Sequence, residues 1–363
     1  MNILVVKMSA LGDVIQAMAI LRPLKMGFPE ARITWLVEES LAPILDCNPS
    51  VDRTIVWPRE AFTSSILKGK EGLHRREKLK EFIQSLRRDV YEIAIDLQGL
   101  MKSAIWMGLA RARRKVGFSE PREKLSKLFV NEKVRGVGKD LHAVERYLGL
   151  VEGLGCPKCE EVEFGLKRAK LFISRAKDLL REGGARGKRP LVVISPATRW
   201  ETKRWESEKF AELADEMRLK GGFEVVFVGG RGDLDLVRDI KERMRTRAVD
   251  LTGETDLPTL ACIMGMAGVV VSPDSGPMHL AAAMGTPVVA LFGPTAPWRT
   301  GPYGKVHKVI RSHVECSPCF RRKCSSRSCM RSISVGEVME AVERVLVRLD
   351  DCPGKSSARG SVS

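Results

Sequence analysis

Three stretches of this chain combine residue types that can do chemistry with a spacing that would gather them at the edge of a sheet. The first is Ser9-Ala10-Leu11-Gly12-Asp13, directly after an apolar run at 3–6. Gly12 permits a tight turn, and Asp13 would land at a helix N-terminus beyond the carboxyl end of a strand, where open α/β sheets bind ligands. A carboxylate there could cap the helix, or it could face a ligand as a general base. The second stretch is Val271-Ser272-Pro273-Asp274-Ser275-Gly276-Pro277-Met278-His279-Leu280-Ala281. An apolar strand runs into Asp274, a Ser-Gly-Pro turn follows, and an Ala-rich helix begins. Pro277 suits a first helical turn, where its missing N–H is not needed. The N–H groups around Gly276–His279 and the helix dipole would favour an anion such as a diphosphate. Asp274 could accept a ribose or sugar hydroxyl. Ser275 could instead only cap the helix, and His279 could be a core histidine. The third stretch, Ser195 to Trp205, follows another apolar run and holds Thr198, Arg199, Lys203 and Arg204. Such a loop could clamp phosphate charge, or be a solvated basic loop.

Cysteines supply a fourth candidate. Cys316-x2-Cys319-x4-Cys324-x4-Cys329 is dense, and four-cysteine sites are usually zinc. Paired C-x2-C knuckles are absent, so a structural zinc on these four residues stands beside reduced or redox-paired thiols as alternatives. His313-Val314-Glu315-Cys316 has the start of a deaminase motif, but its second half would have to overlap the first, which excludes it. Cys156-Pro157-Lys158-Cys159 has no thioredoxin-like context. Neither G-x-x-x-x-G-K-[ST] nor a G-x-G-x-x-G after the first strand occurs, which argues against a P-loop NTPase and a standard NAD enzyme.

Elements that could position these groups are legible as an alternation. Apolar runs at 3–6, 33–37, 54–57 and 93–97 have the character of buried parallel strands, with helical patterns at 14–26, 73–88, 101–110 and 141–153 between and after them. After a basic helix and a Gly-rich connection at 166–190 the pattern restarts. Strands are expected at 191–195, 224–228, 268–272 and 288–292, and helices at 206–219, 233–247, 257–266, 278–284 and 334–349. The pattern is that of two Rossmann-like, doubly wound halves joined near residue 180. The domains are drawn at 1–175 and 176–350, with 351–363 a disordered tail.

Composition narrows the classes. The 363 residues, 44% hydrophobic and 29% charged, can bury a core in each of two domains and are neither disordered nor collagenous. No run of 18 apolar residues suggests a membrane span, and the N-terminus does not read as a signal peptide. The cysteines are therefore expected in a reducing cytoplasm. Net charge is +16, and residues 51–150 alone carry 22 basic against 13 acidic side chains. That excess fits an anionic partner: nucleic acid, a phosphorylated substrate or an anionic membrane surface. A nucleic-acid binder would interleave aromatics for stacking. Only Phe82 falls in the basic stretch 68–88, so no nucleic-acid partner is expected.

Taken in order, ILVVKMSALGDVI at the start, WLVEE at 35–39, IDLQGLMKSA at 95–104, HAVERY at 142–147, VSPDSGPMHLAAAMGTPVVALFGPT at 271–295 and GPYG at 301–304 resemble glycosyltransferase family 9, the lipopolysaccharide heptosyltransferases. The first half is most similar to heptosyltransferase I, whereas the cysteine stretch is more like that of the heptosyltransferase II branch. The resemblance implies an α/β GT-B fold, two Rossmann-like domains facing across a cleft. The first would bind the acceptor and the second the nucleotide sugar. It implies an inverting transfer of L-glycero-D-manno-heptose from ADP-heptose to the Kdo of Kdo2-lipid A. The family's catalytic aspartate falls on Asp13, and its phosphate-facing lysine on Lys203. Its donor motif falls on Asp274, Ser275, Gly276 and His279, with Thr198 in the donor loop. Ser275 departs from the commoner threonine, and Gly232 and Asp233 stand where the family usually carries a glutamate against the nucleoside.

On that resemblance, Asp13 would take the acceptor's proton, and Lys203 with the 275–279 N–H groups would stabilise the departing ADP. No cofactor or metal is required if those donors suffice. Arg75, Arg76, Lys78, Lys80 and Arg122 would meet the acceptor's phosphates and carboxylates. The same charge could hold a cytoplasmic protein peripherally at the inner face of the inner membrane. The rivals are a heptosyltransferase II and a family 9 transferase using another nucleotide sugar.

Overall fold

A computed structural model describes residues 1–59, 70–138, 140–187 and 189–350. The chain forms two compact units, Met1–Arg168 and Ala169–Ser363.

In the first unit, six parallel strands pair in the order β3-β2-β1-β4-β5-β6. They are β1 Asn2–Val6, β2 Arg32–Glu38, β3 Arg53–Trp57, β4 Tyr91–Asp96, β5 Ala112–Phe118 and β6 Glu132–Val134. β1 lies between β2 and β4, with Val5 opposite Trp35 on one side and Ile95 on the other. The chain winds outward from β1 to β3 and then restarts at β4. The reversal lies between β1 and β4, the switch point at which doubly wound sheets bind ligands. Leu4, Val6, Leu36, Ala94, Phe82, Leu86 and Trp106 form one core layer. A fully buried side chain of this kind contributes roughly 1.5–3 kcal/mol.

Strands β5 and β6 and the short helix Ala42–Asp46 escaped the sequence pattern. β5, ARRKVGF, carries three consecutive basic residues that hide its alternation. The solvated Arg114 reaches across to Glu132 of β6 through two hydrogen bonds of 2.8 and 2.9 Å. The helix expected over 14–26 is three pieces: Leu11–Ala17, a 3-10 turn Met18–Ile20, and Leu21–Gly27. Pro23 cannot donate to a continuous helix at that point. Gly12 lies inside the first turn of Leu11–Ala17 and not in the loop before it.

The second unit repeats the plan in the order β12-β11-β10-β7-β8-β9. Its strands are β7 Leu191–Ile194, β8 Glu224–Phe227, β9 Val249–Asp250, β10 Val269–Pro273, β11 Val288–Phe292 and β12 Lys308–Arg311. The reversal now lies between β7 and β10. Helices Ser207–Leu219 and Val335–Asp350 pack on one sheet face around Phe210, Leu213, Val338 and Val342. The short edge strands β9 and β12 were not visible in the apolar runs.

The join near residue 180 and the 175/176 boundary need correction. The helix Ile173–Glu182 packs on the helix Leu257–Met266 of the second unit, and the Cys262 thiol donates to the Ala169 carbonyl. Gly183 is seated against Val249 and Leu251, so the glycine-rich stretch is a turn within the second unit and not a linker. The expected tail 351–363 lies outside the described residues.

Candidate active site

In the first unit the loop after β1 brings Asp13 to the switch point. Asp13 is the third residue of its helix, and Ala10 N–H donates to its Oδ2 at 3.4 Å. The carboxylate therefore does cap the helix, from inside the first turn, yet about a third of the side chain (32%) still reaches solvent. Behind it, 3.9 Å from Oδ2, lies the Lys7 ammonium, with 2% of the side chain exposed. A buried ammonium needs partners. Lys7 also donates to the Leu97 carbonyl at 3.5 Å and stands 5.1 Å over the Tyr147 ring. Burial pulls its pKa down, but the Asp13 carboxylate and Tyr147 outweigh that pull and leave it above the ordinary lysine range.

The loop after β4 closes the other side of the switch point. Gln98 Oε1 accepts from Met8 N–H at 2.8 Å, tying the two loops together. Asp96 accepts from the Gln98 and Gly99 N–H groups and from the Ser103 hydroxyl. Burial nonetheless pushes its carboxyl up. Gly99 has φ +63°, and a Cβ there would sit 3.3 Å from Arg122 N, so this turn needs glycine and seats Pro121-Arg122 upon it. Arg122 is exposed, and its positive charge repels that of Lys7. Asp13, Lys7 and Arg122 thus share one electrostatic neighbourhood.

The other predicted acceptor residues sit on a separate element. Arg75, Arg76 and Lys78 lie in the N-terminal half of the helix Lys70–Arg87 and Lys80 just past its middle, with Arg76, Lys78 and Lys80 exposed and Arg75 half-buried. A crossover helix runs antiparallel to the strands it connects, which puts its N-terminal half toward the same carboxyl edge. A network the sequence reading missed borders this edge. Glu38, buried at the end of β2, pairs with Lys102 at 2.9 Å and Arg59 at 3.7 Å, and Lys102 also donates to Ser9 Oγ at 3.0 Å. The only signal was Glu38 in WLVEE, a charge closing an apolar run.

In the second unit the loops after β7 and β10 flank the switch point and meet there. Lys203 Nζ lies 2.7 Å from Asp274 Oδ2, and the Thr295 hydroxyl donates to the same oxygen at 2.7 Å. Both partners are mostly buried, with 16% of the lysine and 9% of the aspartate side chain exposed. Trp200 roofs the ammonium, its ring centre 4.5 Å from Nζ, and Arg322 stands 4.9 Å over the same ring. Thr198 is buried and spends its hydroxyl on the Trp200 carbonyl at 2.7 Å, which shapes the loop. Lys203 and Asp274 were expected from sequence. Thr295 and Arg322 were missed as site residues, since only folding brings them to this edge, and Trp200 was passed over within the loop already singled out.

The helix Gly276–Ala283 begins beside Asp274. Ser275 stands at its N-cap, yet its hydroxyl bonds Ser272 at 2.9 Å and makes no cap to the helix. The first-turn N–H groups are therefore not taken by that side chain. His279 is buried. At the alternative nucleoside position, Asp233 accepts from Gly230 N–H at 2.8 Å and Gly232 is exposed.

Cys316 and Cys324 are exposed, Cys319 is half-buried and Cys329 is buried, all as thiols. Burial raises the pKa of Cys329, while the Ser326 hydroxyl lowers that of Cys324. Among the described residues no group of three or more His, Cys, Asp or Glu side chains is arranged to hold a metal. Burial pushes the Cys156 thiol up to about 11, the opposite of a reactive redox cysteine.

The chemistry available is a carboxylate backed by a buried ammonium in one unit, and a cation beside a helix N-terminus that Ser275 does not cap in the other. The first can accept a proton, and the second can receive negative charge on a leaving phosphate. Residues 79–330 match the family model Glycosyltransferase family 9 (heptosyltransferase). The chain is 32% identical over 336 residues to lipopolysaccharide heptosyltransferase 1 of Pseudomonas aeruginosa, covering 90% of this chain and 88% of that protein. Its fold is similar to that of E. coli heptosyltransferase WaaC with ADP, at TM-score 0.75 and 26% identity, covering 95% of this chain and 100% of that one. It is also similar to the family 9 glycosyl transferase of Veillonella parvula, at TM-score 0.79 and 25% identity, covering 96% and 97%.

Proposed function

The chain belongs to glycosyltransferase family 9, the heptosyltransferases, and from that premise we propose that it moves L-glycero-D-manno-heptose from ADP-heptose to the Kdo of Kdo2-lipid A with inversion. The observation that carries this reading is the pairing of Lys203 with Asp274 beside the uncapped first turn of Gly276–Ala283. A cation and a helix N-terminus at one switch point suit the diphosphate of a nucleotide sugar.

In the step, the acceptor hydroxyl oxygen bonds to the anomeric carbon as the carbon–oxygen bond to the diphosphate breaks. The electron pair leaves with ADP, and the proton passes to the Asp13 carboxylate. Lys7 keeps a positive charge behind that carboxylate, favouring its ionised form before transfer. Lys203 exchanges part of its contact with Asp274 for the diphosphate oxygens, and Asp274 is then available to a donor hydroxyl. Arg75, Arg76, Lys78 and Arg122 bind the acceptor's anionic groups. These side chains supply the proton transfer and charge stabilisation, so the proposed step is written without a cofactor.

A second reading, an acceptor already carrying one heptose, is favoured by the Cys316–Cys329 stretch and its likeness to the heptosyltransferase II branch. The protein is to be incubated with ADP-heptose and Kdo2-lipid A. A gain of one heptose in the acceptor's mass, with the anomeric configuration inverted in the product's NMR spectrum, is expected. Transfer only to a heptosylated acceptor establishes the second reading, and transfer to neither acceptor overturns both.

A further inference from the structure

The 3-10 helix Lys124–Phe129 in the first unit has three residues per turn, so residues three apart share a face. Ser126 and Phe129 turn inward. Ser126 is buried, and the Phe129 ring covers Gly108, where a Cβ would meet the ring at 2.6 Å. Leu125 and Leu128 form the second face and are 63% and 79% exposed. Lys124 and Lys127 form the third.

The leucine face does not stand alone. Ile105 and Leu109, on the helix Met101–Leu109, are 43% and 39% exposed. They join Leu128 and Phe129 along an apolar groove of about 510 Å³ with Lys115 at its side. Arg113 and Arg114 of β5 are exposed nearby in sequence, and Glu132 is taken by Arg114. Large apolar side chains clustered in the open usually mark a binding surface. A stripe of leucines beside a stripe of lysines is complementary to an anionic interface with an apolar interior.

We propose that this element is a membrane-docking wedge: Leu125 and Leu128 enter the acyl layer of an anionic bilayer while Lys124 and Lys127 meet its phosphates. Arg122, two residues before the wedge, is seated on the Gly99 turn of the loop that Gln98 ties to Met8 after β1. Docking would therefore bring a lipid-borne acceptor to the side of the unit that carries Asp13. The inference rests on the proposed function in that the acceptor is a lipid, but binding is measured without turnover, so the two can fail separately.

Full-length protein is to be sedimented with vesicles of phosphatidylethanolamine and phosphatidylglycerol, and with neutral phosphatidylcholine vesicles. Wild type should partition onto the anionic vesicles, and Leu125→Ser/Leu128→Ser should lower the partition coefficient about tenfold or more at any salt. Lys124→Gln/Lys127→Gln should lower it several-fold at low salt only. The leucine variant should melt as wild type does and keep its turnover on a delipidated, water-soluble acceptor. The proposal is overturned if the leucine variant binds vesicles as wild type does. It is equally overturned if only Arg76→Gln/Lys78→Gln abolishes binding, or if sedimentation equilibrium shows a wild-type dimer that the leucine variant breaks, because the patch would then cover a second copy.

Discussion

Lys203→Met removes the ammonium 2.7 Å from Asp274 Oδ2 and keeps a side chain of similar length under Trp200. Two effects separate. The first is on stability. Asp274 remains buried with Thr295 as its hydroxyl donor, and breaking a buried pair costs about 3–5 kcal/mol. With 16% and 9% of the two side chains exposed, the cost falls below that range, at about 2 kcal/mol. For a unit of this size that lowers the melting midpoint by roughly 4–8 °C. The second effect is on the nucleotide. A charge-assisted hydrogen bond contributes about 1.5–3 kcal/mol, so the ADP dissociation constant should rise roughly 10- to 150-fold. Adding Asp274→Asn neutralises the stranded carboxylate while leaving an oxygen for Thr295. The double variant should recover most of the melting midpoint and none of the affinity. Calorimetric titration with ADP and thermal denaturation of wild type and both variants read both effects. An unchanged ADP dissociation constant in Lys203→Met, or affinity that returns with stability in the double variant, would refute the assignment of Lys203 to the diphosphate.

Asp13→Asn retains an oxygen for the Ala10 N–H but cannot accept a proton, so turnover should fall about 10²- to 10⁴-fold while donor affinity stays within about twofold; comparable loss of donor affinity in calorimetry would count against the base. Arg75→Gln/Arg76→Gln/Lys78→Gln should raise the acceptor KM several-fold, less so in high salt, and leave the donor KM alone. Steady-state kinetics with each substrate varied check this, and a rise confined to the donor KM would reverse the assignment of the units. His307 is held below its ordinary pKa by burial, despite its contact with the Tyr303 carbonyl. The unfolded chain therefore binds the proton more readily, and this stabilisation is complete above pH ~6.5 and lost as pH falls through the lower folded value. Denaturant midpoints at pH 8 and 5.5 should drop further for wild type than for His307→Gln, and equal drops would contradict this.

Strand–turn–helix order was legible because each buried parallel strand is a short apolar run closed by turn residues. β1, β4, β7 and β10, which flank the two switch points, all show it, and so Asp13, Lys203 and Asp274 could be named before any coordinates. What the sequence hid has physical causes. β5 begins with basic residues that pair across to β6, so its period of two is masked. β9 is only two residues long. The basic helix Ile173–Glu182 was legible as a helix, but its place in the second unit was not, because the charged residues outnumber the buried Ala176, Leu179 and Leu180 that dock it. Site partners were hidden for another reason. Lys203 and Asp274, Glu38 and Lys102, and Thr295 and Asp274 meet only through folding, and a pattern along the chain can nominate each alone but not the pair.

The central claim is the identity of the acceptor hydroxyl and of the donor that reacts with it. ADP release, followed with ADP-heptose and either Kdo2-lipid A or the same acceptor already carrying one heptose, tests it most directly. Release is expected with the unheptosylated acceptor and none above background with the other. Release only with the heptosylated acceptor, or with neither, would contradict it.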